Sequence, residues 1–307
     1  MTTTAPVPAP VLALPSPDAA LPHLEASARA RVLGSALAAA GALLLGLVLQ
    51  AVVVSPLHES RDQHVRYDQL RSALANGTAP VGQISADDAL LPTGTPVAIL
   101  RVPALHLDAV VSEGTTSQAL LSGPGHRRDT PLPGQSGASV VMGRQSTFGG
   151  PFAHLDRLTT GATITTVTGQ GTAVYRVTGV RRSGSALPAV LAPGAGRLTL
   201  VSATGTRFLP SDVVRVDAQL VSDPFVTPRA VVSAPELAAS ERAFAGDPDA
   251  WPWLVIALAG LVLVALAAAF LRGWWGRWQT WLTCGPALLL LGLLAGQQVF
   301  VLLPNLL

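Results

Sequence analysis

The stretch SVVMGRQSTFGGPF, Ser139 to Phe152, is the first place in this chain where chemistry can sit. It opens as an apolar strand, Val140-Val141-Met142. It then breaks at Gly143 into a polar loop closed by Gly149-Gly150-Pro151. Strand ends that open into glycine-bounded loops are common seats of binding and catalysis. Arg144 and, farther along, Arg207 can hold a carboxylate or another anion together with the backbone donors of such a loop. The competing reading makes Arg144 a solvated loop residue without a ligand. Ser146 or Thr206 would need a neighbouring base to become a nucleophile, and the sequence shows none beside either.

Other reactive side chains are sparse. His126 in GPGHRRDT is a candidate ligand-binding residue, and His154 lies in PFAHLDRL; loop histidines more often do neither acid nor base work. Arg127 and Arg128 beside Asp129 read as solvated surface rather than a docking patch. Asp108, Glu113, Asp129 and Asp156 are scattered without calcium-loop spacing. The single cysteine, Cys284, excludes an internal disulfide and a multi-cysteine zinc site. No metal and no cofactor is expected.

Composition sets the frame for these residues. Of 307 residues 49% are hydrophobic and 12% charged, too apolar for an ordinary soluble chain. A formal net charge of +2 gives no argument for nucleic-acid binding. All 20 basic residues are arginine, a bias that suggests a GC-rich genome.

The apolar residues are concentrated in three runs. Val32 to Val54 carries no charge over a length that spans a bilayer core of about 30 Å. Its length and distance from the N-terminus favour an anchor over a cleaved signal. Further runs cover Trp253–Leu271 and about Trp281–Leu303. The link RGWWGRWQT carries arginines among tryptophans, the mark of a cytoplasmic interface. The organisation predicted is a disordered cytoplasmic tail (1–30), a first membrane helix (31–55), and a helical stalk and linker (56–93). A β domain (94–222) and a linker (223–250) follow. Two more membrane helices (251–272 and 281–304) flank a cytoplasmic loop (273–280). The 56–250 segment is then extracytoplasmic, in a multi-pass protein of the cell membrane. Within it HESRDQHVRYDQLRSALANG has helical spacing and an Asn-Gly stop. From Pro96 onward PVAILRV, LDAVVSE, ASVVMG, ATITTVTG, TAVYRVTGV, RLTLVSA and DVVRVDAQLV read as short strands of a barrel or sandwich.

From Pro96 to about Val221 the blocks PVAILRVPAL, VVSEGTT, GPGHRRDTPLPGQSG, VVMGRQSTFGGPFAHLDRL and LTLVSATG, in this order behind an anchor, resemble the sortases. The likeness is to the class E type of high-GC Gram-positive bacteria. The resemblance implies a mainly β fold, a closed sortase-like β-barrel outside the membrane, plus three transmembrane helices. It also implies a cysteine that cuts sorting signals of secreted proteins and passes the acyl group to an amine. The departures are specific. Arg144 stands where the family has its histidine and Ala203 where it has its cysteine. The family arginine falls near Ser211 or Asp212. Alanine offers no nucleophile, and arginine, held protonated, is no base. Ser202, next to Ala203, should point to the opposite face of its strand. Cys284, in the third apolar run, reads as a small buried apolar residue. The expectation is a pseudo-sortase that binds or scaffolds secreted or cell-wall proteins, or a partner sortase. Two alternatives are an active enzyme with a rebuilt site and an accessory subunit of a membrane complex.

Overall fold

The computed structural model describes residues 28–85, 87–206 and 209–307. The expected tail over 1–30 lies almost wholly outside them. The chain divides into two units, Met1–Leu44 and Leu45–Leu307. In the first, residues 28–44 are helical and expose Leu33, Leu37, Leu43 and Leu44.

Among the described residues, four long helices and eight strands make up most of the regular structure. Helix α1 is Ala28–Leu49; a π-helical turn, Gln50–Val54, leads into α2, Ser55–Ala75. The strands are β1 (Pro96–Val102), β2 (Leu107–Glu113), β3 (Gly125–His126), β4 (Gly137–Met142), β5 (Thr163–Thr168), β6 (Gly171–Arg181), β7 (Gly196–Thr206) and β8 (Leu209–Leu220). Helices α3 (Trp251–Trp274) and α4 (Arg277–Leu302) follow. Among the described residues, three helices are long and apolar enough to cross a membrane: Gly41–Ala75, Pro248–Trp274 and Arg277–Leu302.

The strands close into one barrel in the order β1-β2-β3-β4-β7-β8-β6-β5. Closure removes every free sheet edge. The period of two places Val141, Leu198, Leu200, Val214 and Val216 inside, with Phe152, Ile164 and Tyr175. Met142, Val201, Ala203 and Val213 then face outward, in a second cluster that also takes in Leu120 and Leu306. Neighbouring β4 and β7 run parallel, with Met142 level with Val201.

Helix α2, expected as a stalk, packs along the barrel. Leu70 is buried with Ile99 of β1 and Val110 of β2, a burial that stabilises by roughly 1.5–3 kcal/mol. Gln63 accepts from the Val110 N–H at 2.7 Å and donates to the Val110 and Ser122 carbonyls. The helix stops where Gly77 takes φ +68° after Asn76, the left-handed turn glycine accommodates. The π-helical turn meets α4: Gln50 Nε2 donates to the Leu293 carbonyl at 3.0 Å. A Cβ on Gly296 would lie 2.0 Å from Gln50 Oε1, so this approach depends on glycine.

Candidate functional site

The loop after β4 is built so that Arg144 points inward. A Cβ at Gly143 would strike the Phe152 ring at 2.6 Å, and one at Gly150 the Gln145 carbonyl at 2.6 Å. The two glycines let the loop fold back tightly over Phe152. Arg144 is fully buried. Its guanidinium donates to Thr147 Oγ1 at 3.1 Å, the Ser117 carbonyl at 3.0 Å, Ser117 Oγ at 2.7 Å and the Phe300 carbonyl at 3.3 Å. It also lies over the Phe148 ring, 5.5 Å from its centroid. Among the described residues no carboxylate pairs with it, and its Nε is buried without a partner. Burial pulls the Arg144 guanidinium down to about 9, which leaves it protonated at neutral pH. The reading of Arg144 as a solvated loop residue is corrected: neutral oxygens hold it in the interior.

Ala203, on the outward face of β7, is also covered. It lies in one apolar cluster with Met142, Val201, Val213, Leu120 and the fully buried Leu306. Beyond α4 the segment Leu303–Leu307 contributes Leu306 to this cluster and bonds the Arg144 loop. The Gln145 N–H donates to the Leu306 carbonyl at 3.0 Å, and Thr147 donates to the Leu307 carbonyl from Oγ1 at 2.8 Å. The Asn305 amide donates to the Thr115 and Arg242 carbonyls. The tail thus links the Arg144 loop, through the Leu306 and Leu307 carbonyls, to the apolar cluster that holds Ala203.

Two candidate hydroxyls are already engaged with backbone carbonyls. Ser202 Oγ, buried, donates to the Gly143 carbonyl at 2.8 Å, and Thr206 donates to the Leu209 carbonyl. Ser211 is exposed near the turn of the β7–β8 hairpin, where a Cβ on Gly205 would meet its N–H. Arg207 lies outside the described residues. His154 is exposed beside a small cavity of about 120 Å³ that also reaches Ala203 and Thr204. Cys284 is buried in α4.

His126 has a different role from an open ligand. It is fully buried and level with Glu113 across the parallel β2–β3 pair. Nδ1 is 2.8 Å from Glu113 Oε2, and Nε2 is 3.0 Å from the Pro131 carbonyl. Burial pulls the imidazole down, but the Glu113 charge and hydrogen bond, the Pro131 carbonyl and Asp129 outweigh it. Its pKa sits above the ordinary histidine value. Thr130 Oγ1 lies 3.1 Å from Nε2, so Thr130, His126 and Glu113 line up as nucleophile, base and orienter would. The proton polarity is wrong for that chemistry. Nε2 must donate to the Pro131 carbonyl, and Thr130 gives its own proton to the Arg127 carbonyl at 2.7 Å.

Sequence reading missed Ser117 and Leu303–Leu307 as the partners of the loop. A serine 27 residues upstream and a tail after an apolar run carry no local signal. The Glu113–His126 pair follows only from the short strand β3.

Residues 100–211 match the family model described as Sortase domain. The matched stretch includes Arg144 and Ala203 and lies within the barrel region. No curated protein matches the chain. Among solved structures, the chain is similar to a sortase D5 transpeptidase of Clostridium perfringens at 18% identity, over 53% of this chain and 99% of that one, with a TM-score of 0.44. It is similar to sortase C-1 of Actinomyces oris at 22% identity, over 50% and 98%, with a TM-score of 0.36. For sortase E of Streptomyces avermitilis the identity is 26%, over 43% and 91%, with a TM-score of 0.35.

Proposed function

We propose that this chain is a membrane-anchored, sortase-like protein of the Gram-positive cell envelope. It binds or scaffolds secreted or cell-wall proteins, or a partner sortase, without joining them. One observation carries this reading: Ala203, at the position the resemblance assigns to the nucleophile, is buried in an apolar cluster that also takes in Leu306. Acyl transfer needs a deprotonatable group there, and alanine has none. Arg144, at the position assigned to the histidine, is a buried cation and not a base. The 56–250 segment faces outward in this reading, on the strength of the Arg/Trp link between α3 and α4.

The test uses the purified full chain in detergent with sorting-signal peptides and an amine acceptor. Intact-mass spectrometry should find no acyl adduct on the protein and no cut peptide. Turnover in this assay would overturn the proposal.

A further inference from the structure

The outer face of the barrel gathers four arginines around one cavity. Strands β4, β7, β8 and β6 lie side by side there, with Met142 level with Val201, Val201 with Arg215, and Arg215 with Arg181. The cavity holds about 410 Å³ and is lined by Arg127, Arg181, Arg215 and Arg242, with Met142 and Leu237 on its apolar wall. That volume is in the range of small-molecule sites.

The charges do not balance. Arg127 pairs with Asp129 at 2.6 Å, and Arg181 pairs with Asp217 through two hydrogen bonds. Asp217 also accepts from Thr199 at 2.8 Å, so its oxygens are engaged. Arg215 and Arg242 have no carboxylate partner among the described residues. Asp212 acts on Arg215 only at longer range, its own oxygens being bonded by Ser183 and the Val213 N–H. The two paired carboxylates leave Arg215 and Arg242 without a direct partner: Arg215 has only the longer-range pull of Asp212, and Arg242 is exposed to solvent. Arg181 and Arg215 also stand directly opposite each other, an arrangement of like charges that weakens a strand pair. Arg127 Nε is buried with no acceptor.

We infer that this cavity binds a doubly charged anion of the phosphate-monoester type carried on an apolar body. Arg215 and Arg242 supply the charge that a dianion neutralises, in the forked geometry guanidinium offers to phosphate. Met142 and Leu237 cover the apolar part. The site uses neither Arg144 nor Ala203, so it stands whether or not the barrel lacks transpeptidase activity. The same chemistry belongs to a free alkyl phosphate and to the head of a phosphatidic acid.

The experiment uses the full chain in neutral detergent, with hexyl phosphate, inorganic phosphate and hexanol as probes in calorimetry and thermal unfolding. Hexyl phosphate should bind and raise the unfolding temperature, and hexanol should do neither. Arg215→Gln should weaken hexyl phosphate about tenfold or more, the loss of one charge-assisted contact. Without ligand the same variant should unfold no lower than the wild type, because the like-charge pair is relieved. Leu237→Ala should weaken hexyl phosphate and leave inorganic phosphate unchanged. Equal affinities for the wild type and Arg215→Gln, or no binding of either phosphate probe, would overturn the inference. In nanodiscs, stabilisation by phosphatidic acid over phosphatidylcholine that Arg215→Gln abolishes supports the site with a membrane lipid as its source. Stabilisation by hexyl phosphate alone supports it with a free amphiphile.

Discussion

Gln145 and Leu306, 161 positions apart, are joined by a backbone hydrogen bond of 3.0 Å from the loop N–H to the Leu306 carbonyl. The same Leu306 is fully buried in the apolar cluster that holds Ala203. One residue thus ties the loop to that cluster.

A cysteine placed at Ala203 should therefore be hidden. In a Cys284→Ala background, Ala203→Cys should react slowly with a maleimide, since the position is 2% exposed. Adding Leu306→Asp forces a charge into an apolar cluster and should speed labelling by about tenfold or more, a shift in opening of about 1.4 kcal/mol. Rapid labelling of the first variant would show that the segment does not cover Ala203.

Leu306→Ala alone should cost about 2–5 kcal/mol, the range for a fully buried leucine that leaves a cavity. The unfolding midpoint in denaturant reads this. A loss below about 0.5 kcal/mol, typical of surface positions, would mean the site is solvated.

Arg144 makes a contrasting case. It is a buried cation without a carboxylate partner, so Arg144→Met should leave stability unchanged or raise it. Ser117→Ala should lower it by about 1–3 kcal/mol. That change removes the hydroxyl that donates to the Phe300 and Leu303 carbonyls and accepts from the guanidinium. A large loss in Arg144→Met with none in Ser117→Ala would reverse the roles assigned to them.

His126 should make stability depend on pH. Its folded pKa is raised, so the folded state binds the proton more tightly than the unfolded chain. The stabilisation is full below the unfolded value of about 6.5 and is lost as pH rises through the higher folded value. Unfolding temperatures across this window should fall more steeply with pH in the wild type than in His126→Gln. Parallel curves would mean that the Glu113–His126 pair is not the cause.

Leu70→Ala should loosen α2 from β1 and β2, again by about 2–5 kcal/mol. Hydrogen exchange should then quicken at Val110, whose N–H is held by Gln63. Unchanged protection would mean that α2 docks without Leu70.

Much of the architecture was legible because it is periodic. PVAILRV and LDAVVSE coincide with β1 and β2, and five further strand segments were readable from alternation between Gly- and Pro-rich turns. β3, two residues long, has no period to read, and with it went the Glu113–His126 pair. The three apolar helices were legible from length alone. Arg144 and Ala203 were singled out by their place in motifs, and that fixed which chemistry each side chain can carry: a permanent cation and a methyl group.

What the motif could not determine is where Arg144 points. A guanidinium after a strand end is ordinarily solvated, and this one is buried because Ser117, Thr147 and Phe300, drawn from three parts of the chain, supply its acceptors. Likewise Leu303–Leu307 has no local pattern that announces a seat in the cluster that holds Ala203. Residue type, spacing and span length are local quantities, and the sequence carried them unaided. The tail's seat on the Arg144 loop and the arginine-lined cavity arise from contacts between distant segments, and only barrel closure and the return of α4 to the barrel brought those segments together.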